Sequence, residues 1–184
     1  MTGDWERLES ETVGDYEVFD VIRHVMRSPR TGRTHAFHVV DVPLCAQVVA
    51  LTEDGRVILV EQFRQGVQRM SLEFPAGVLE GGEDPVEGAV RELEEETGYR
   101  PRHAELLGDF DPDPAIQSNR IHVVLARGCT PDGERDQDDG EDVSVRLASV
   151  DEVRELIRRG RIRHAAAISA WYFYEAVASR RGLG

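Results

Sequence analysis

The sequence predicts an α/β domain, a mixed sheet sandwiched by helices, with a β-hairpin extension at its N-terminal end. Three observations carry this expectation. Short apolar runs recur between turn-forming residues along much of the chain. One of those turns contains Asp54-Gly55, a strong hairpin signal. Interleaved with the runs are three helical segments, the first of them with signals at both ends.

In chain order, residues 16–26 alternate imperfectly and read as a strand. A turn over 28–33, with Pro29 and Gly32, leads to a second strand over 38–42 and so makes the N-terminal hairpin. Residues 46–51 and 57–61 flank Glu53-Asp54-Gly55-Arg56 as the next antiparallel pair. Asp84 is a good N-cap, Pro85 suits the first helical position, and Glu87 stands at capping-box spacing. With Gly98 as a stop, these signals predict a helix over Pro85–Thr97. Residues 104–109 and 121–127 read as strands, and 130–141 as a polar, acidic loop. After a short strand at 143–147, Ser149 and Glu152 open a helix ending near Gly160. A longer helix over 164–180 is rich in Ala and carries Trp171, Tyr172, Phe173 and Tyr174, which helical spacing assigns to core packing. One compact domain without a linker is expected, an N-terminal strand extension over 1–45 forming a single unit with residues 46–184.

The stretch from Gly77 to Tyr99 holds seven Glu and one Asp among 23 residues, beside a single Arg. On the predicted helix, Glu92, Glu95 and Glu96 stand at i, i+3 and i+4 and share one face, expected to look towards solvent. Ala89, Leu93 and Val86 supply the opposite, core-facing stripe. Glu87 and Arg91 make a favourable i,i+4 pair, whereas Glu92 and Glu96 repel by ~0.2–0.5 kcal/mol on an exposed helix. Such crowding calls for a cation. Three glycines in the preceding loop, 77–82, let backbone approach a ligand, so a hard divalent metal fits better than a merely solvated acidic face. The expected cofactor is Mg2+, with Mn2+ as a substitute.

This segment resembles the Nudix box. Gly77, Glu83, Arg91, Glu92, Leu93, Glu95, Glu96 and Gly98 fall on its pattern, and Tyr99 takes the final apolar place. Upstream, Gln62, Phe63 and Arg64, then Leu72, Glu73, Pro75, Ala76 and Gly77, are similar to the ADP-ribose pyrophosphatase branch of that family, as is Pro114 downstream. The segment around Pro114, Asp111–Arg120, departs from the Ser-Pro-Gly form common in that branch, which leaves the nucleotide substrate open.

The resemblance implies the Nudix α/β/α sandwich and hydrolysis of the pyrophosphate bond of a nucleoside diphosphate linked to a sugar. ADP-ribose, cleaved to AMP and ribose 5-phosphate, is the leading substrate. Another nucleotide sugar or a dinucleotide is the alternative, and a silent nucleotide sensor a further one. Against the sensor, the chain keeps Glu92, Glu95 and Glu96. The implied metal ligands are Glu92 and Glu96, with Glu95, Glu83 and the Ala76 carbonyl. Arg91 is expected to orient carboxylates through bidentate hydrogen bonds. The catalytic base is sought in the acidic loop beyond the box, with Glu141 first and Asp139 second; a solvated loop without a catalytic part is the competing reading. Arg64 and Glu73 sit where relatives touch the nucleotide, although each also suits a structural ion pair, and Asn119 and Arg120 are candidates for the ribose side, or simply a turn. His164 and His122 show no metal partner and read as structural. The branch also implies a homodimer.

Composition sets the remaining bounds. At 184 residues and 40% apolar, the chain can bury a core without disulfide staples. No apolar run reaches membrane-spanning length, and MTGDWERLESE lacks the features of a signal peptide. Cys45 and Cys129 are isolated and read as reduced thiols of a cytoplasmic protein. A net charge of −13 argues against a nucleic-acid platform, and makes a polyphosphate unwelcome unless metal and local Arg residues offset it. The resemblance implies a small nucleoside diphosphate as partner, and composition argues against nucleic acid and membrane.

Overall fold

A computed structural model describes residues 3–136 and 142–181. The chain forms two compact units, one of residues 1–44 with 111–120, the other of 45–110 with 121–184.

In the first unit, strands β1 (Glu6–Asp15), β2 (Asp20–Arg27) and β3 (Thr34–Asp41) form an antiparallel sheet in that order. The turn between β2 and β3 is the one the sequence marks, with Gly32 at φ 68° and Ser28 N–H donating to the Arg33 carbonyl at 2.8 Å. The hairpin thus gains a third strand. Residues 6–15, ERLESETVGD, carry only two large apolar side chains, so no period-two signal announces β1. Its ladder to β2 and cross-strand pairs such as Arg27–Glu6, at 2.8 Å, hold it instead. Residues 111–120 lie against β3, where the Val40 N–H donates to the Ile116 carbonyl at 2.7 Å.

The second unit is built on a mixed sheet. Strands β4 (Cys45–Thr52), β5 (Val57–Arg64), β6 (Arg69–Glu73) and β7 (Ala76–Val78) precede helix α1 (Pro85–Thr97). Strands β8 (His103–Phe110), β9 (Ile121–Cys129) and β10 (Val143–Ala148) follow, then helices α2 (Val150–Arg158) and α3 (Ala165–Arg181). The strand order is β10-β5-β4-β9-β8, with β6 added on β5 and β7 on β4. Only β4 and β9 run parallel; the other pairs are antiparallel. Asp54-Gly55 forms the β4–β5 turn, Gly55 taking φ 79°.

Alternation along the strands divides the core into two layers. Ala46, Val48 and Ala50 of β4, with Val124 and Ala126 of β9, pack with Ala89 and Leu93 of α1. Val49, Val57, Leu59, Val123 and Leu125 point the other way, into a cluster with Val153 of α2 and Ala167, Ala170, Trp171 and Tyr174 of α3. The result is the expected α/β/α sandwich. Trp171 stacks on Phe74 at 5.8 Å and lies 4.8 Å from Tyr174, as core packing requires. Tyr172 departs from that expectation: at 73% exposure it faces solvent, because it falls on the outer side of α3.

Leu93 is fully buried beneath α1, so its contacts decide how firmly the helix is seated. Leu93→Ala is expected to cost ~2–5 kcal/mol in denaturant unfolding, the range for a buried leucine with little room to collapse. An unfolding midpoint equal to the parent's would show that α1 is not anchored through this side chain.

Candidate active site

Helix α1 begins as its end signals require. Asp84 Oδ1 accepts from the N–H groups of Val86 and Glu87 at 2.9 and 3.3 Å. At the other end Gly98 adopts φ 73°, and its N–H donates to the Glu94 carbonyl at 2.7 Å. The box acids converge on Arg91. Its Nε and Nη2 donate to the two Glu83 oxygens, both at 3.1 Å, and its Nη1 reaches Glu92 and Glu95, both at 2.9 Å. Nη2 also meets the Val78 carbonyl at 3.1 Å. Hydrogen bonding to Glu83, ahead of the nearby Glu92 charge, drives the Arg91 pKa further up, and the same bonds hold Glu83 below the usual carboxylate range. Arg91 therefore stands at the centre of the acids as their fixed counter-charge.

Two carboxylates are drawn to β7, the strand on which the box begins. The Ala76 N–H donates to Glu96 Oε2 at 3.1 Å. Glu92 lies so close to Gly77 that a Cβ built there would stand 2.0 Å from its carboxyl carbon. Only glycine leaves that space, which is a physical reason for the first residue of the box. The solvent-facing expectation for this helix face fails at Glu96, which is 3% exposed. Packing of α1 against β4 and β7 covers it, a tertiary effect that helical periodicity does not register.

The far end of α1 is tied down by residues the sequence did not single out. Arg135 donates from Nε and Nη2 to the Glu96 carbonyl at 3.1 and 2.8 Å, and from Nη2 to the Val143 carbonyl at 3.0 Å. A cation on the last carbonyls of a helix satisfies them and suits the helix dipole. The Gly133 and Asp136 N–H groups donate to the carbonyls of Gly98 and Glu95 at 3.0 and 3.2 Å. Glu134 and Asp136 thereby join Glu87, Arg91, Glu94 and Glu95 around a cavity of about 580 Å³. Glu141 and Asp139, the candidate bases, lie outside the described residues.

A second cavity, about 490 Å³, is lined by Arg64, Arg69, Ser71, Glu73, Arg163 and His164 among others. Arg64 meets Glu73 side-on, Nε and Nη2 donating to its two oxygens at 3.1 and 2.8 Å. His164 Nδ1 lies 2.7 Å from Glu73 Oε2. Burial alone would raise the Glu73 pKa; hydrogen bonds from His164 and Arg64 outweigh it and hold the carboxyl well below its ordinary range. Arg64 and Glu73 are thus brought together, and His164, read as a structural residue without a metal partner, is their third member. No sequence signal foretold that contact across 91 residues. Asn119 and Arg120 fall in the first unit. There the Asn119 amide donates to the Pro43 carbonyl at 3.3 Å.

The donors around Ala76 and α1 are carboxylate oxygens, the chemistry a hard divalent ion prefers. Among the described residues, no three His, Cys, Asp or Glu side chains are gathered as a ready ligand cluster. In this arrangement Glu83, Glu92 and Glu95 share Arg91, while Glu96 accepts from the Ala76 N–H.

The NUDIX domain family matches residues 43–171. The chain belongs to the Nudix hydrolase family. It is 34% identical to a methanol dehydrogenase activator of Bacillus methanolicus over 76% of each chain. It is 32% identical to an ADP-ribose pyrophosphatase of Bacillus subtilis (strain 168), over 82% of this chain and 84% of that protein. A solved structure of an ADP compounds hydrolase superposes with a TM-score of 0.88 at 21% identity, covering 99% of this chain and 98% of the other. That structure's fold is therefore shared over 99% of this chain, and the enzyme is a Nudix pyrophosphohydrolase resembling the ADP-ribose pyrophosphatases. Among the described residues, no helix is long and apolar enough to cross a membrane.

Proposed function

We propose that this Nudix enzyme is a divalent-metal-dependent hydrolase of nucleoside diphosphates linked to a sugar, with ADP-ribose, split to AMP and ribose 5-phosphate, as its preferred substrate. The observation that carries the reading is the delivery of Glu92 and Glu96 from one turn of α1 to the backbone at Gly77 and Ala76. Glu92, Glu96 and the Ala76 carbonyl would hold Mg2+, or Mn2+ in its place, with Glu95 and Glu83 as additional ligands. A bound ion would supply neutralisation of the diphosphate and a lower pKa for the attacking water.

The chain's own residues supply the rest. Arg91 fixes the carboxylates of Glu83, Glu92 and Glu95 before substrate arrives, which spares reorganisation during reaction. The base comes from the acidic segment following Asp136, with Glu141 ahead of Asp139. Asp136, just ahead of it, donates its N–H to the Glu95 carbonyl, which supports this reading. Arg64 meets an anionic group of the substrate, with Glu73 beside it. Exposed Trp5, Leu8, Val13 and Phe37 support a dimer-forming role for the N-terminal extension, residues 1–45; residues 46–184 are the hydrolase domain. The compartment is the cytoplasm.

A panel of ADP-ribose, other nucleotide sugars and dinucleotides, assayed with Mg2+ and again with EDTA, tests the proposal. ADP-ribose should give the highest kcat/KM, and EDTA should abolish turnover. Preference for a dinucleotide would shift the substrate, and undiminished turnover in EDTA would remove the metal. The departure of residues 111–120 from the common form of the branch is what gives the dinucleotide arm its weight.

A further inference from the structure

Among the described residues, Glu73 is more fully buried than any other acid, at 1% exposure. It ends β6, and three donors from two other places in the fold saturate it: Nε and Nη2 of Arg64, at the end of β5, and Nδ1 of His164, just before α3. A carboxylate only accepts, so the imidazole nitrogen facing it is the donor. The two donor side chains differ from their shared acid in being accessible. Arg64 and His164 are 41% and 40% exposed, and both line the 490 Å³ cavity with Arg69 and Arg163. In a chain of net charge −13 this is a local concentration of positive charge at a cavity of ligand size.

We infer that His164 is a positioning residue for substrate binding: it fixes Glu73, which in turn holds the Arg64 guanidinium ready for the substrate's anionic group. A lone Arg–carboxylate fork can turn with the carboxylate, and a long Arg side chain gives up rotamer entropy on capturing a ligand. A third donor on Oε2 removes the carboxylate's rotation, so the guanidinium plane is set beforehand and less entropy is lost on binding. The inference rests on the proposed role of Arg64 at the diphosphate substrate.

The full chain is tested as H164A, H164N, R64A and the H164A/R64A double variant. Steady-state kinetics use ADP-ribose with Mg2+, calorimetry measures ADP-ribose binding in EDTA, and thermal unfolding monitors the fold. H164A should raise KM and Kd about tenfold with kcat within about twofold, the signature of lost binding that is uniform between ground and transition state. H164N, whose amide nitrogen can stand where Nδ1 stood, should recover most of the loss. The double variant should bind no worse than R64A, because His164 acts through Arg64. Unchanged KM and Kd in H164A beside a clear loss in R64A would overturn the positioning role and leave the substrate reading standing. Unchanged binding in R64A would instead remove the reading beneath it. Should H164A fail to fold, H164N against H164Q decides, since Gln places its amide beyond the Nδ1 position; equal affinities would refute the inference.

Discussion

Glu96→Gln should lower Mg2+-dependent turnover about 10³-fold, roughly 4 kcal/mol of transition-state stabilisation, while the chain still folds. The amide preserves the size of the side chain, and its oxygen can still accept from the Ala76 N–H that now meets Glu96 at 3.1 Å. What it loses is the charge. Because Glu96 is buried under the packing of α1, the charge-assisted bond to Ala76 also weakens, at a cost of about 1–3 kcal/mol in unfolding. Activity per folded molecule, with Mg2+ affinity measured by calorimetry, separates the two effects. A stability loss with turnover kept near normal would make Glu96 a structural strut for β7 and leave the metal to the other acids.

The sequence carried the parts of this site that lie within one helix turn or one short loop. Asp84, Pro85 and Gly98 define α1 to the residue, because capping is a local hydrogen-bond problem that its neighbours solve. The face shared by Glu92, Glu95 and Glu96 follows from the helical repeat alone. Which of them is buried does not, since that depends on β4 and β7 arriving from elsewhere. Strands β6 and β7 are only five and three residues long, so their ladders on β5 and β4 left no periodic trace. Arg135 and His164 illustrate the same boundary: each bonds across 39 or 91 residues, a distance at which spacing rules are silent. The mixed sheet itself was legible, because the β4–β5 turn and the apolar runs of β4, β5 and β9 are local features.

Gly77→Ala offers the sharpest separation of chemistry from stability. The added methyl would stand 2.0 Å from the Glu92 carboxyl carbon and 2.1 and 2.3 Å from its oxygens, closer than any atom pair tolerates. All three clashing atoms are at the far end of a flexible side chain, so the simplest relief is for the Glu92 carboxylate to swing away rather than for β7 to move. That movement takes it off Arg91 Nη1, now at 2.9 Å, and out of the proposed metal site. The expected outcome is a loss of about 10²-fold or more in turnover, at least ~2.7 kcal/mol, with the unfolding midpoint nearly that of the parent. Glu92→Gln should give a similar loss. Combining the two substitutions should cost little beyond either alone, since Gly77 acts through Glu92 and contacting residues are not additive. Full additivity in that cycle would mean that the glycine serves the reaction by its own backbone, independently of the acid it accommodates.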